Sequence, residues 1–358
     1  MSVTVKTQNL TAQTAKIAVY GAGAMGTVLG AFLTKGGLQQ VQLITRNEAH
    51  VQGLKEQGAK IVCEGDGEEI TIPVKGILPS EMQDKYDVIF LMTKQRHNAD
   101  ILTNLLPFMH ENTVVCTTQN GLPEQSVADI VGTERTYGAA TSFGATFIGG
   151  GKVALTSKMQ AMSMEIGGYQ NDNAYAPLLA EILSYAGKAT GNEHFVKCTD
   201  NLLGARWAKL TINAAFSGLS VVTGLTFGDI AKKHKTRKLA LAVLRECIDV
   251  AKAKGVKLAT MQGYDMEKLL GGKTWFKRFL AYMVLPFAIK KHKKLVSGML
   301  KDVQNGRKCE IDFVCGAVVK AGQSIDMETP LNTQIVQLVH DIENGLCEIS
   351  DKNVDFFA

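Results

Sequence analysis

The chain has 358 residues, enough for two domains that each bury a core. With 46% hydrophobic and 20% charged residues it has an ordinary globular composition, which excludes a disordered or fibrous chain. The net charge of +5 comes without a long cationic run, so nucleic acid is not the expected partner, and an anionic cofactor and substrate would account for part of the excess.

Met1–Ala15 is polar, lacks the apolar stretch of a secretory signal, and is expected to be a flexible tail. Seven scattered cysteines without C-x-x-C spacing indicate neither a disulfide framework nor a zinc site, so no metal is expected and a reducing, cytoplasmic setting fits. The most apolar late run, Phe279–Ile289, falls far short of the roughly 20 residues of a membrane span.

Ile17–Tyr20 reads as a short apolar strand and Thr27–Thr34 as a helix. Between them Gly21, Ala22, Gly23, Ala24, Met25 and Gly26 spell G-x-G-x-x-G, the strand–turn–helix context of a dinucleotide site. Gly21 permits the tight turn, Gly23 lets the backbone approach a pyrophosphate, and Gly26 with Gly30 lets helix and strand pack closely. The free N–H groups of the helix start face the anion. Val41–Thr45 is the second strand, and Arg46 follows it where an acidic residue would bind a ribose 2′-hydroxyl. Arg46 suits a 2′-phosphate, so the cofactor is read as NADP(H); the alternative is a solvated loop charge.

Ala49–Gln57 is expected to be helical, with small strands at Lys60–Cys63 and Glu69–Val74 around the turn Gly65-Asp66-Gly67. Tyr86–Thr93 and Thr113–Thr118 are continuous apolar runs, as in strands covered on both faces. Lys94 and Asn120 stand at their carboxyl ends, where ligands of open α/β sheets bind. Either alone would read as a surface lysine or a turn asparagine; two at successive strand ends point to function. Later strands are expected at Thr136–Ser142, Lys152–Leu155 and Met162–Ile166, a turn at Gly149–Gly151, and a helix over Asn173–Ala186. The fold class is therefore α/β: a Rossmann-type doubly wound sheet over 16–198, then an all-helical substrate and dimerisation domain over 199–358.

In that second half Leu202, Ala205, Ile212, Phe216 and Leu219 form one apolar stripe. Lys209, Asn213 and Ser217, spaced i, i+4, i+8, share a face that overlaps it. Met299, Val303, Gly306, Phe313, Val314 and Ala317 form a second stripe, and Glu310 falls within it. Two ionisable groups on the inward faces of two helices are either a structural ion pair or the lining of a cleft in which burial tunes a lysine for proton transfer. Residues 265–294 carry Gly271-Gly272, Trp275, an apolar run and Lys290-Lys-His-Lys-Lys294. A hairpin lid, a homodimer contact and a membrane-surface patch all suit this stretch; packing within the protein or a homodimer is the expectation. Thr329-Pro330 starts a final helix near Asn332–Asn344.

GAGAMG at Gly21, Lys94, QNG at Gln119, RWAKLTINAAF from Arg206 and MLKDVQNGRKCEIDFVCG from Met299 together resemble the ketopantoate reductase (2-dehydropantoate 2-reductase) family over about residues 16–345. The resemblance implies a Rossmann domain followed by a helical domain and NADPH-dependent reduction of ketopantoate to pantoate, in pantothenate biosynthesis. By position, Lys209 matches the lysine that protonates the carbonyl oxygen. Glu310 matches a glutamate that contacts the cofactor ribose and sits near that lysine. Lys94 and Asn120 match contacts near the nicotinamide ribose, and Ala145 a backbone contact to the cofactor. Asn213 matches a substrate-binding asparagine; Asn120, Ser217 and Ser297 complete the expected contacts to a 2-oxo acid. The chain departs from the pattern at Ser217, near Thr226, and at Leu295 and Gly298. Alternatives are a reductase of the same family acting on another branched or bulkier 2-oxo acid, and a non-catalytic NADPH-binding regulator.

Overall fold

The computed structural model describes residues 10–260, 265–272 and 274–357. The chain divides into two compact units, Met1–Gln119 with Pro123–Leu202, and Asn120–Leu122 with Leu203–Ala358.

The first unit runs β1 (Ile17–Tyr20), α1 (Ala24–Lys35), β2 (Val41–Ile44), α2 (Glu48–Gln57), β3 (Ala59–Cys63), β4 (Glu68–Ile72), β5 (Lys75–Ile77), β6 (Tyr86–Leu91), α3 (Asn98–Leu105), β7 (Met109–Thr117), α4 (Glu124–Val131), β8 (Thr136–Thr141), β9 (Ala145–Gly149), β10 (Lys152–Leu155), β11 (Met164–Gly168), α5 (Ala176–Thr190) and β12 (Val196–Cys198). Eight strands make one sheet in the order β12-β11-β8-β7-β6-β1-β2-β5. Its centre is parallel, with Ile17 opposite Val41 on β2 and Val88 on β6, while β11 joins β8 antiparallel. The continuous apolar runs follow from coverage on both faces. Ile17 and Val19 enter one core with α1 and α5, and Ala18 and Tyr20 enter another with α3 and α4.

A second sheet of four strands, β4-β3-β10-β9, adds to the doubly wound one. The turn at Gly65–Gly67 closes its β3–β4 hairpin and the glycine run at 149–151 its β9–β10 hairpin. The flexible tail expected over 1–15 lies outside the described residues up to Asn9. Beyond it the chain packs: Ala12 and Ala15 are buried in the core and the Gln13 amide donates to the Tyr185 hydroxyl at 2.9 Å.

The second unit is helical: α6 (Leu202–Ile212), α7 (Leu219–Thr223), α8 (Phe227–Lys232), α9 (His234–Ala253), α10 (Met266–Leu270), α11 (Trp275–Ala288), α12 (Gly298–Gln304), α13 (Cys315–Gln323) and α14 (Pro330–Glu343). A π-helical turn, Asn213–Gly218, joins α6 to α7. Glu246 on α9 accepts hydrogen bonds from the Leu331 and Asn332 N–H groups at 3.0 and 2.8 Å, which anchors the start of α14. Among the described residues no helix is long and apolar enough to cross a membrane.

Candidate functional site

The glycine loop is built by close approach. Gly21 has φ +101°, and a Cβ there would lie 2.7 Å from the Met92 carbonyl carbon and the Thr93 nitrogen. A Cβ on Gly26 would lie 2.5 Å from the Gly21 oxygen, and one on Gly30 2.7 Å from the Leu43 side chain. Ala22 N–H is tied to the Ile44 carbonyl at 2.9 Å. Gly23 differs from the others: a Cβ there would meet nothing within 4 Å. Gly23 is the N-cap of α1; no side chain caps the helix and its first turn carries no acid. Open space beside uncapped first-turn N–H groups of Ala24 and Met25 suits a pyrophosphate.

This loop is braced by a contact that sequence reasoning missed. His50 on α2 is fully buried, its Nε2 lies 2.9 Å from the Thr27 hydroxyl, and its Nδ1 accepts from the Gly151 N–H at 3.0 Å. Nδ1 as acceptor puts the ring proton on Nε2, so His50 donates to Thr27, which in turn donates to the Ala22 carbonyl at 3.3 Å. Burial lowers the His50 pKa, in keeping with a neutral ring. A lone histidine in a short helix gives no signal of this role.

Arg46 is exposed at the carboxyl end of β2, and its charge is felt by the Tyr20 phenol at the end of β1. Next to it, Asn47 caps α2 by accepting from His50 N–H at 2.9 Å. Lys94 follows the end of β6, half-buried, and leads into a short 3-10 turn. Beside it the Gln119 amide donates to the Thr93 carbonyl at 2.9 Å and pairs reciprocally with Asn98 at 2.6 and 3.0 Å. These bonds fix the strand ends from which Lys94 and Asn120 depart; the QNG motif marked Gln119 without revealing that role. Ala145 opens β9 opposite Leu155 and so belongs to the smaller sheet.

In the second unit Lys209, Asn213 and Ser217 are all half-buried, while Leu210, Ala214 and Phe216 between them are buried. They mark one partly exposed line across the junction of α6 and the π-helical turn. Burial above all, and then the buried Arg206 guanidinium, push the Lys209 amine down to about 7 against the opposing Glu310 carboxylate. Lys209, Arg206 and Glu310 thus form one electrostatic cluster. Arg206 stands in the RWAKL motif three residues before the lysine, a helical spacing that makes the two neighbours and that the sequence reading left unused.

Glu310 departs from expectation, since it does not lie on an inward helix face. The stripe from Met299 is interrupted where α12 ends at Gln304 and Gly306 turns left-handed at φ +67°. Glu310 follows in an irregular segment, buried, just before the 3-10 turn Ile311–Phe313. The Glu343 carboxylate holds that segment by accepting from Cys309 N–H at 2.7 Å. Ser297 is buried as the N-cap of α12 and accepts from Met299 N–H at 3.1 Å. Among the described residues no group of His, Cys, Asp and Glu is arranged to hold a metal.

Residues 17–169 match the ketopantoate reductase PanE/ApbA family model, and residues 201–343 match the model of that family's C-terminal region. A 2-dehydropantoate 2-reductase of Lactococcus lactis is 28% identical over 92% of this chain and 99% of its own length. One of Pyrococcus horikoshii is 26% identical over 90% and 96%. Among solved structures, D-mandelate dehydrogenase with NADH and anilino(oxo)acetate is 25% identical with a TM-score of 0.77, covering 92% of this chain and 99% of that one.

Proposed function

Because the chain belongs to the ketopantoate reductase family, whose members are oxidoreductases acting on CH–OH groups, we propose that it reduces a 2-oxo acid to the 2-hydroxy acid with NADPH, and that ketopantoate is that acid. The observation that carries this reading is Lys209: a half-buried lysine whose amine is lowered to about 7 by burial and a buried arginine, against a buried carboxylate. A lysine so poised gives up its proton at neutral pH.

In this reading Gly21–Gly26 and the N–H groups of Ala24 and Met25 bind the pyrophosphate, and Arg46 pairs with the 2′-phosphate. Lys94 and Asn120 contact the cofactor near the nicotinamide ribose, Ala145 contacts it through its backbone, and Glu310 contacts the cofactor ribose. A nicotinamide cofactor held there would supply the hydride for carbonyl reduction. Lys209 stabilises the developing alkoxide and passes its proton to that oxygen. Asn213, Ser217, Ser297 and Asn120 orient the acid. The first unit is thus the cofactor domain and the second the substrate domain.

A second reading is favoured by the D-mandelate dehydrogenase likeness and by Ser217, Leu295 and Gly298: the acid is bulkier, such as an aryl 2-oxo acid. NADPH oxidation with ketopantoate, phenylglyoxylate, 2-oxoisovalerate and pyruvate separates the two. A preference for ketopantoate by orders of magnitude supports the first reading, and a preference for phenylglyoxylate the second. No turnover of any 2-oxo acid overturns both and leaves an NADPH-binding regulator.

A further inference from the structure

Helix α11 turns large apolar side chains outward. Trp275, Phe276, Phe279, Leu280, Met283 and Phe287 are all exposed, from 47% at Leu280 to 77% at Trp275. At 3.6 residues per turn these six fall within a sector of roughly 140°. The opposite side, with Ala281 and Leu285, packs into the core of the second unit. The outward face has no partner among the described residues beyond the stacking of Trp275 on Phe279, and six large apolar groups far exceed scattered surface hydrophobicity.

Charge selects the occupant. From Lys268 to Lys301 the sequence holds nine lysines and arginines and no aspartate or glutamate. Lys277, Arg278, Lys290, Lys293 and Lys294 are exposed around the apolar face. On the inner flank a pocket of about 420 Å³ gathers His234, Lys238, Arg245 and Arg278 beside Trp275 and Phe279. Arg245 is disfavoured as a cation by burial and then by Arg278, with Asp249 opposing. Among the described residues the Lys238 and Arg278 side chains make no ion pair. A symmetric self-contact would set this cationic region against its own copy, since an isologous interface pairs the same patch with itself. An acid-free, aromatic-rich amphipathic helix instead complements anionic headgroups over an apolar interior.

We propose that α11 lies in the plane of an anionic lipid bilayer, its aromatic face in the acyl boundary and the basic pocket on a lipid phosphate. The full chain is tested by co-sedimentation with vesicles of phosphatidylcholine alone and with phosphatidylglycerol added, at low and high salt. The expected result is partition at least about tenfold stronger onto the anionic vesicles, weakened by salt, with a blue shift of Trp275 emission while buried Trp207 stays unchanged. Phe279→Ser/Phe287→Ser and, separately, Lys290→Glu/Lys294→Glu each lower that partition about tenfold with an unchanged far-ultraviolet spectrum. Equal partition onto both vesicle types, or none, overturns the proposal. So does a lipid-free dimer that Phe279→Ser/Phe287→Ser splits, since the occupant is then a second copy.

Discussion

Arg206 lies one helical turn before Lys209 on α6, and its buried guanidinium lowers the lysine's affinity for a proton while Glu310 raises it. Proton loss near neutrality is therefore a balance among burial and two neighbours, each of which can be removed.

Lys209 keeps its proton below about 7 and sheds it above. With the protonated amine as donor, kcat falls as pH rises through that value. Arg206→Gln raises the lysine's pKa and moves the fall to higher pH; Glu310→Gln moves it to lower pH. The pH dependence of kcat in the three proteins is the check, and shifts of the opposite sign refute the assignment.

Lys209→Ala removes the donor and leaves the glycine loop untouched. Turnover drops about a hundred- to ten-thousand-fold, while the NADPH dissociation constant, read by fluorescence titration, changes by no more than about threefold.

Gly23 and Gly26 separate ligand space from fold space. Gly26→Ala forces a Cβ against the Gly21 oxygen and costs about 1–3 kcal/mol, seen as a lower melting temperature. Gly23→Ala meets open space, so the melting temperature holds. NADPH affinity nonetheless drops at least about tenfold, because the methyl group occupies the room assigned to the pyrophosphate.

Arg46→Ala loses a charged partner at an exposed strand end. NADPH binding weakens about ten- to a hundredfold and NADH binding is unchanged by calorimetry. Equal loss for both would make Arg46 a general phosphate contact and remove the basis for choosing NADP(H).

His50 adds an acid sensitivity. Its folded pKa lies below the usual 6.5, so the unfolded chain takes up the proton first as pH falls. The neutral ring's contribution is complete above about 6.5 and is lost as pH drops through the folded value. His50→Gln melts lower at neutral pH but with a flatter pH dependence, measured by thermal unfolding from neutral to mildly acidic buffer.

The strand–glycine–helix start and the runs at β6 and β7 were legible because burial on both faces leaves an uninterrupted apolar signature. The smaller sheet was only half visible. β9 has mixed exposure, and β3 and β10 pair across nearly ninety residues that no local pattern connects. The lysine face was readable from spacing, yet the π-helical turn that follows it leaves no mark in composition. Glu310 misled because apolar residues on both sides mimic one helix across the left-handed Gly306. His50 acts through Thr27 and Gly151, distant in sequence, and only packing reveals it, whereas the i, i+3 spacing of Arg206 and Lys209 was open to reading and went unused.

The imidazole of His50 has a consequence for protein engineering. One ring is bonded to the helix of the glycine loop and to the turn between β9 and β10, and Gly53 brings α2 so near Gly150 that a Cβ would fall 2.2 Å from its carbonyl carbon. The glycine loop is thus not a portable cassette. Grafting a relative's loop alone would leave the joint mismatched; α1, α2 and the 149–151 turn have to be exchanged together.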